Sequence, residues 1–536
     1  MGSLRNGRGV VPRAIGMLAV AGTMLYHADV RAQTVAALFP DALTATVSDP
    51  RNPPRFQKFD RAALAQLSAP PTFTPAASGA GATGFDSTNA RKTKPKAKSK
   101  TLANAQAIAP GVPMPPTTSN KPADVTGSIS SGAPGAPPVQ LGPIRTFPKK
   151  RKPYEPEDPY APLGIYGESF IFYPAIELIG GYDTNPGRTP NGTPAGFYTV
   201  APELRAQSDW SRHDLKIDLR GSYVGYSPDE TPSLSRPYLN GKIDGRVDVS
   251  HETRIDLGGR VIVSTDNPGS PNLQAGLAKL PIFVVGGGSI GVGQRFNRFD
   301  FSIKGDVERT IYQQSLLTDG TTASNDDRNY DQYAGVLRGS YELSPGLMPF
   351  AEAAVDTRIH DLNTDSSGYQ RNSNGFTAKA GSKFNFTPVL TGEAALGYTQ
   401  RVYEDPRLAD ITGPIGSVSL LWTPDALTSV KLLGASTIGE STVPGVSGVF
   451  YRTIGTQVDH AFRQWLIGSL KLGFEIDNYV GLDRVDKIYT VGAGLTYKLD
   501  RSVQVKGEFR QNWLHSNVAG VDYAESVFML GLRLQR

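Results

Sequence analysis

The chain contains no cysteine among its 536 residues, which excludes disulfides and thiolate metal sites. Long apolar runs are also missing. The longest, from Ala14 to Tyr26, holds about 13 apolar residues, whereas a membrane-spanning helix needs about 20. A chain of this kind can therefore be integral to a membrane only as a closed β-barrel.

The first 32 residues have the pattern of a secretory signal. Arg5, Arg8 and Arg13 precede the apolar stretch, and Val30-Arg31-Ala32 follows it as a small-residue cleavage site. The alternative, an uncleaved N-terminal anchor, is disfavoured because the stretch is too short to span a bilayer. We predict that residues 1–32 are a signal peptide and that the chain is exported.

Residues 33–165 have too few aromatic and β-branched residues to form a folded core, and they are rich in Pro, Ala, Ser, Gly and Lys. Residues 1–165 carry 20 of the 55 basic and 9 of the 50 acidic residues, a net charge of +11, which leaves −6 for the rest. We predict a disordered periplasmic linker. Its basic run, Arg91 to Lys100, would contact lipid headgroups, cell wall or a periplasmic protein, and the alternative is a solubilising tail. Nucleic acid is not an expected partner, because no folded stacking platform accompanies the run.

From about Phe170 to Arg536 the chain repeats runs of alternating apolar and polar residues. In residues 238–250, for example, Ile243 and Val247 share one parity, while Lys242 and Asp244 share the other. Side chains alternate faces along a strand, so one face is apolar and the other charged. One such strand would also fit a soluble sandwich. Many in series after a signal peptide predict an all-β fold, an antiparallel transmembrane β-barrel over residues 166–536 in the outer membrane.

Turn-forming segments of two sizes alternate along this region. Nine long and eight short connections predict 18 strands; 16 is the alternative, because the alternation is weak near residues 282–294, 347–360 and 450–460. An even number places both ends of the barrel on one side, and bacterial barrels have short turns in the periplasm and long loops outside. The third long loop contains residues 273–280, which would form either a short helix folded into the lumen or an ordinary external loop.

The polar parity of these strands predicts a charged, hydrated lumen. One interpretation is a path that sorts solutes by charge and size, and the other is a structural ladder of cross-strand ion pairs. Because signs alternate closely along most strands, the second is favoured over strong ion selectivity. The candidate lumen-lining residues are Glu203, Arg205, Lys216, Asp218, Arg220, Lys242, Asp244, Arg246, Asp248, Arg254, Asp256, Arg260, Lys304, Asp306, Glu308, Lys506, Glu508 and Arg510.

No residue pattern predicts an enzyme, a metal site or a cofactor. Adjacent pairs such as His213 with Asp214 point to opposite faces of a strand, and no His, Asp or Glu cluster has metal-ligand spacing. The segment from Asp183 to Pro186 offers oxygens that would suit Ca²⁺, but Asp and Asn before Pro are turn formers, so a turn is favoured.

Three segments resemble a known family, called putative β-barrel porin 2, of Gram-negative outer-membrane proteins. They are Asp158 to Ile165 before the first strand, Gly181 to Pro186 at its end, and Ser208 to His213 after the second. The resemblance covers roughly residues 158–536 and implies an outer-membrane barrel, without implying a particular transported substance. The last strand also resembles the signal read by barrel-assembly machinery, although Arg536 stands where an aromatic residue usually ends the chain.

We therefore expect a porin-like channel for passive diffusion of small hydrophilic solutes, with outer-membrane lipid and the barrel-assembly machinery as partners. The alternative is an envelope-assembly component, either an export barrel for surface polysaccharide or a structural anchor that binds cell wall through its linker.

Overall fold

The computed structural model describes residues 160–536, apart from Glu230, Pro388 and Ala426. The predicted signal peptide and nearly all of the predicted linker lie outside the described residues, so both stay predictions. Eighteen long strands form one antiparallel sheet. In chain order, β1 to β18 span Phe170–Asp183, Ala195–Ser208, Asp214–Ser227, Arg236–Asp248, Thr253–Thr265, Ile282–Phe296, Phe299–Tyr312, Tyr330–Tyr341, Leu347–His360, Ser373–Thr387, Leu390–Tyr403, Ile411–Trp422, Thr428–Gly439, Gly448–Arg463, Leu466–Val480, Arg484–Lys498, Val503–Ser516 and Tyr523–Gln535.

The sheet closes on itself. Each strand pairs with its neighbours in sequence, and β1 pairs with β18 in a register that runs from Ala175 opposite Gln535 to Asp183 opposite Val527. Closure leaves no long strand edge unpaired, which a lipid environment requires. The predicted antiparallel barrel of 18 strands is confirmed, including β6, β9 and β14, where the alternation is weak.

The connections differ in size at the two ends of the barrel, here called the long-loop end and the short-turn end. Residues 266–281 and 313–329 form the two longest connections at the long-loop end, whereas residues 297–298 make a two-residue turn at the other. One connection at the long-loop end, residues 481–483, is itself short. A 3₁₀ turn at Asp326–Arg328 lies within the loop of residues 313–329. Among the described residues, no helix is long and apolar enough to cross a membrane.

Apolar and charged side chains lie on opposite faces of the barrel wall. Large apolar residues such as Ile243, Ile303 and Leu396 are exposed on one face. On the other face Arg338 of β8 reaches Glu393 of β11, with Nη2 and Oε2 2.6 Å apart, although three strand spacings separate them. Side chains converge in this way on a concave surface, so the charged face is the inside of the barrel.

The chain enters the first strand from the inner side. Residues Ile165–Gly167 pair with the beginning of β1, and Ala161 just before them is buried. A Cβ atom placed on Gly164 would lie 2.7 and 2.8 Å from the side chains of Tyr173 and Ile171, which share the inward parity of β1. The segment of residues 160–164 therefore lies within the short-turn end of the barrel, against its inner wall.

Candidate functional site: the inner wall and the long-loop mouth

The predicted lumen-lining residues all carry the inward parity of their strands, and the structure joins almost all of them in ion pairs. Many pairs link residues two apart in one strand, as between Lys242 and Asp244 at 2.9 Å and between Lys304 and Asp306 at 2.6 Å. Residues two apart project from the same face of a strand, so alternating signs compensate each other locally. The remaining predicted residues in ion pairs are Glu203, Arg205, Lys216, Asp218, Arg220, Arg246, Asp248, Arg254, Asp256, Arg260, Glu308, Lys506 and Glu508.

Arg510 is the exception among the predicted residues. It is buried, its Nε has no hydrogen-bond partner, and it forms no ion pair within 4 Å with any residue that the structure describes. It lines a small cavity on the inner wall, together with Asp183, Arg188, Arg236 and Glu525. Arg188 and Glu525 already pair at 3.4 Å. Whether Arg510 and the other predicted residues line a path for solutes stays a prediction.

Inward-facing glycines let charged groups meet across an intervening strand. Arg260 of β5, Gly287 of β6 and Glu308 of β7 lie in one transverse row, and the Arg260 and Glu308 side chains pair over the glycine. Asp356, Gly375 and Arg401 form a second row of this type in β9 to β11. A side chain at the central position would occupy the space through which the two charges make contact.

The sequence reasoning missed a second group of paired charges on β8 to β11. Arg338 contacts both Glu393 and Glu352, and Lys379 lies 2.8 Å from Glu352. The outward positions of β9 include the small residues Ala351 and Ala353, so the alternation of apolar and polar residues is weak in this strand. The inward parity shared by Glu352 and Asp356 is the sequence pattern from which these charges could have been predicted.

The third long loop, residues 266–281, contains no helix and is not an ordinary external loop either. The Asn272 side-chain oxygen accepts a hydrogen bond from the backbone N of Thr442 at 2.9 Å and from Ser441 Oγ at 3.2 Å. Thr442 follows β13, eight strands from β5 around the barrel, so the loop spans the mouth between opposite walls. Its base is held by Asp266, which pairs with Arg328 at 2.9 Å. Residues 273–280 form no helix, and whether the loop narrows the lumen stays a prediction.

A small cavity, here called the mouth cavity, lies beside this crossing. It is lined by the ends of β7, β8 and β9 and by three long loops, with Tyr330, His360, Arg371 and Glu440 around it. Glu440 pairs with Arg358 of β9, four strands away from the β13 end that carries it. Burial by itself would raise the pKa of Glu440, but Arg358 and His360 outweigh this effect and hold that pKa below its usual value.

Catalytic chemistry was not predicted from the sequence. Within residues 160–536, apart from the three positions that are not described, no three His, Asp or Glu side chains lie close enough together to hold a metal ion. The segment from Asp183 to Pro186 forms a turn, in which the backbone N of Asn185 donates to Asp183 Oδ1 at 2.9 Å. The side-chain oxygen of Asn185 accepts a hydrogen bond from the backbone N of Thr189 at 3.1 Å.

A closed antiparallel barrel with an apolar outer face, a charged inner face and longer loops at one end is the architecture of a porin-like outer-membrane protein. The chain belongs to the family described as Putative beta-barrel porin 2, whose sequence profile matches residues 158–536. The resemblance inferred from the three sequence segments is thus confirmed. Family and fold point to a channel in the outer membrane rather than to an enzyme.

Several solved structures are similar to the chain at low sequence identity. The outer-membrane protein OpdK from Pseudomonas aeruginosa shares 11% identity at a TM-score of 0.34, covering 68% of this chain and 99% of its own. OccAB2 from Acinetobacter baumannii shares 12% at a TM-score of 0.36, covering 68% and 98%. The ferric citrate transporter FecA shares 11% at a TM-score of 0.33, covering 64% and 59%. No curated protein matches the chain.

Proposed function

We propose that the barrel is an open, water-filled channel through which small hydrophilic solutes diffuse passively. The observation that carries this proposal is the composition of the inner wall, where charged side chains extend from the short-turn end to the mouth and satisfy one another in pairs. A barrel of 18 strands is too wide for side chains alone to fill, so such a wall surrounds water.

The pairing also supports weak ion selectivity. Neighbouring charges of opposite sign produce little field beyond a Debye length, about 10 Å at 0.1 M salt. A solute in the middle of the lumen then meets a polar but nearly neutral wall. Selection by size at the mouth, where residues 270–273 approach residues 441–442, would dominate over selection by charge.

We place the long loops outside the cell and the short turns in the periplasm, as in other bacterial barrels. This orientation puts the segment of residues 160–164 at the periplasmic opening, from which the rest of the predicted linker of residues 33–165 would extend into the periplasm. Outer-membrane lipid and the barrel-assembly machinery are the proposed partners of the barrel, and cell wall or a periplasmic protein is the proposed partner of the linker.

Single-channel conductance in planar bilayers tests the proposal. The full-length protein and a form without residues 33–157 are refolded and compared in potassium chloride. Stepwise conductance in both forms, with a cation-to-anion permeability ratio near one, is the expected result. Conductance only after the deletion would show that the N-terminal segment closes the channel. Silence of both forms, while spectra show a folded barrel, would contradict diffusion and favour an envelope-assembly role.

A further inference from the structure

The seam between β12 and β13 is paired only in its short-turn half. Paired residues run from Ser417 opposite Ala435 to Trp422 opposite Val430. Towards the mouth, residues 411–416 of β12 pair with β11 on one side, but no described residue of β13 pairs with them on the other. An unpaired strand edge is costly in a membrane-spanning wall, so this half of the seam must be closed in another way.

At this half of the seam the mouth ends of β13 and β14 lie inside the wall formed by β11 and β12. Ile411 and Gly413 face inwards, because Ile411 lies directly opposite Arg401 of the inner wall. Phe450 has the outward parity of β14 and lies opposite Ile438. A Cβ atom on Gly413 would nevertheless lie 2.9 Å from Cε1 of Phe450. The inner face of β12 therefore covers the outer face of β14, and the wall has two layers here.

An apolar core closes the overlap between the two layers. Tyr403, Leu408 and Ile411 belong to the outer layer, and they pack with Ile438 and Phe450 of the inner layer. All five residues are buried. Sliding of one layer over the other would exchange these apolar contacts without breaking any strand pairing between the layers. The inner layer, residues 436–450, is here called the inner hairpin.

Pro414 explains why the β-ladder stops. The backbone N of Gly416 donates to Ser436 Oγ at 3.2 Å, so N–H groups of this parity in β12 point towards β13. Continuing the register would place Pro414 opposite Ile438, and proline has no N–H to donate. The Ile438 carbonyl instead accepts a hydrogen bond from Arg358 Nη2 of β9 at 3.1 Å. A side chain from another part of the inner wall thus replaces the missing ladder partner.

Polar contacts from three other elements hold the inner hairpin in this position. Arg358 of β9 pairs with Glu440. Arg371, in the connection that follows β9, donates to the Val446 carbonyl at 2.9 Å. Asn272 of the third long loop binds the same hairpin. The edge of the hairpin that faces β12 is therefore held by side chains rather than by a β-ladder.

We propose that the inner hairpin is a gate of the channel. The structure shows its closed position, under β11 and β12 with the tip bound to β9 and to two other loops. In the open position the hairpin moves back into the barrel wall, and residues 436–439 pair with residues 413–416 in the register that Ser417 and Ala435 begin. This movement removes the hairpin from the mouth. The inference rests on the proposed function, because a gate presupposes a conducting channel.

Pro414→Thr is the sharpest variant for testing the gate. It supplies a backbone donor for the Ile438 carbonyl in the open position, and the exposed side chain at this position takes no part in the closed one. One net hydrogen bond should raise the ratio of open to closed barrels roughly 5-fold. Pro349→Thr is the matched control, because Pro349 also has the outward parity of its strand but lies in β9, away from this seam. Both variants should keep the heat-modifiable mobility of the parent barrel.

The distance between two spin labels tests the movement without requiring conduction. The chain has no cysteine, so Asn363→Cys and Pro444→Cys place one label beyond β9 and one on the inner hairpin, both at exposed positions. We expect a short distance from the closed position and a longer one from the open position. The longer population should grow with Pro414→Thr and not with Pro349→Thr. A single short distance in all three proteins, or a longer population that Pro414→Thr does not increase, would overturn the gate.

Single-channel conductance of the same variants separates the gate from the proposed function. The parent should switch between a lower and a higher level, and Pro414→Thr should raise the ratio of time at the higher level to time at the lower level roughly 5-fold. One steady level in both proteins would overturn the gate and leave passive diffusion standing. Barrels that show both label distances with the expected response to Pro414→Thr, but never conduct, would support the moving hairpin and contradict the open channel.

Discussion

Two regions of the inner wall use buried acids in opposite ways. In the first, here called the paired wall, Glu177 of β1 contacts Lys506 at 2.8 Å and Arg533 at 3.5 Å. In the second, here called the acidic wall, Glu475 and Asp477 of β15 have the same sign and contact each other through their side chains, and Glu475 forms no ion pair with any residue that the structure describes. Glu177 and Glu475 are 1% and 0% exposed, so burial does not distinguish them.

This difference shows that the charged side chains of an inner wall compensate one another only where positive and negative residues alternate. Where signs alternate at every second position, each charge finds a partner within its own strand or across a glycine. On the acidic wall Asp477 lies directly opposite Asp486, which Arg484 already binds through three contacts of 2.7 to 3.1 Å. Like charges in directly opposite positions destabilise a sheet, so this wall carries a local electrostatic cost.

The largest expected effect is the difference in the free energy of unfolding when a buried glutamate is replaced by glutamine in each of the two walls. Glu177→Gln leaves Lys506 buried without its carboxylate, which should lower the free energy of unfolding by about 3 kcal/mol. Glu475→Gln removes one of two neighbouring acids and should leave that free energy unchanged or raise it by up to about 1 kcal/mol. Guanidinium unfolding of both variants in detergent measures the contrast, and equal destabilisation would refute it.

The glycine row of Asp356, Gly375 and Arg401 on β9 to β11 offers the next effect. A Cβ atom on Gly375 would lie 2.8 Å from Arg401 Nη2 and still closer to Asp356, so Gly375→Ala should separate this pair and cost about 1 to 3 kcal/mol. Gly305→Ala is the control, because a Cβ atom on Gly305 meets nothing within 4 Å among the described residues. Unfolding midpoints compare the two, and a stable Gly375→Ala barrel would argue against the role assigned to the row.

Ion preference should respond more to groups that form no ion pair within 4 Å among the described residues, namely Glu475, Asp477 and Arg510, than to the paired ones. Combining Glu475→Gln with Asp477→Asn should shift the permeability ratio towards anions, and Arg510→Gln should shift it towards cations. Reversal potentials in a salt gradient give the sign. The shifts should be largest near 0.01 M salt, where the Debye length is about 30 Å, and nearly absent at 1 M. Replacing Lys242 and Asp244 together should leave the ratio unchanged, because their charges cancel.

The smallest effect concerns pH at the mouth. The pKa of Glu440 is lower in the folded barrel than in the unfolded chain. Ionised Glu440 therefore stabilises the fold at any pH above the pKa of an unfolded glutamate. This stabilisation is lost as the pH falls through the lower pKa of the folded state. Resistance of the loop at residues 440–447 to proteolysis should therefore persist from pH 7 to pH 5 and decline below about pH 4. Glu440→Gln should remove this decline, and the same decline in that variant would assign the effect to another group.

Much of the barrel could be predicted from local sequence pattern. The parity of Ile243 and Lys242 assigns lipid and water faces, and pairs such as Lys304 with Asp306 follow from a spacing of two residues. The N-terminal 159 residues lie outside the described residues, so the predicted signal peptide and linker are not tested. Contacts such as Arg338 with Glu393 could not be predicted, because they depend on the register of four strands and on the curvature that brings them together.

The sequence by itself determined the strands, the alternation of faces and the two sizes of connection, since each follows from the backbone geometry of residues close in the chain. Only the tertiary structure decided which charges lack partners and how the mouth is built. Asn272 and Thr442 meet because closing the sheet brings opposite walls within reach of their loops. Tyr330, His360, Arg371 and Glu440 surround one cavity for the same reason: barrel closure sets distances that no local pattern encodes.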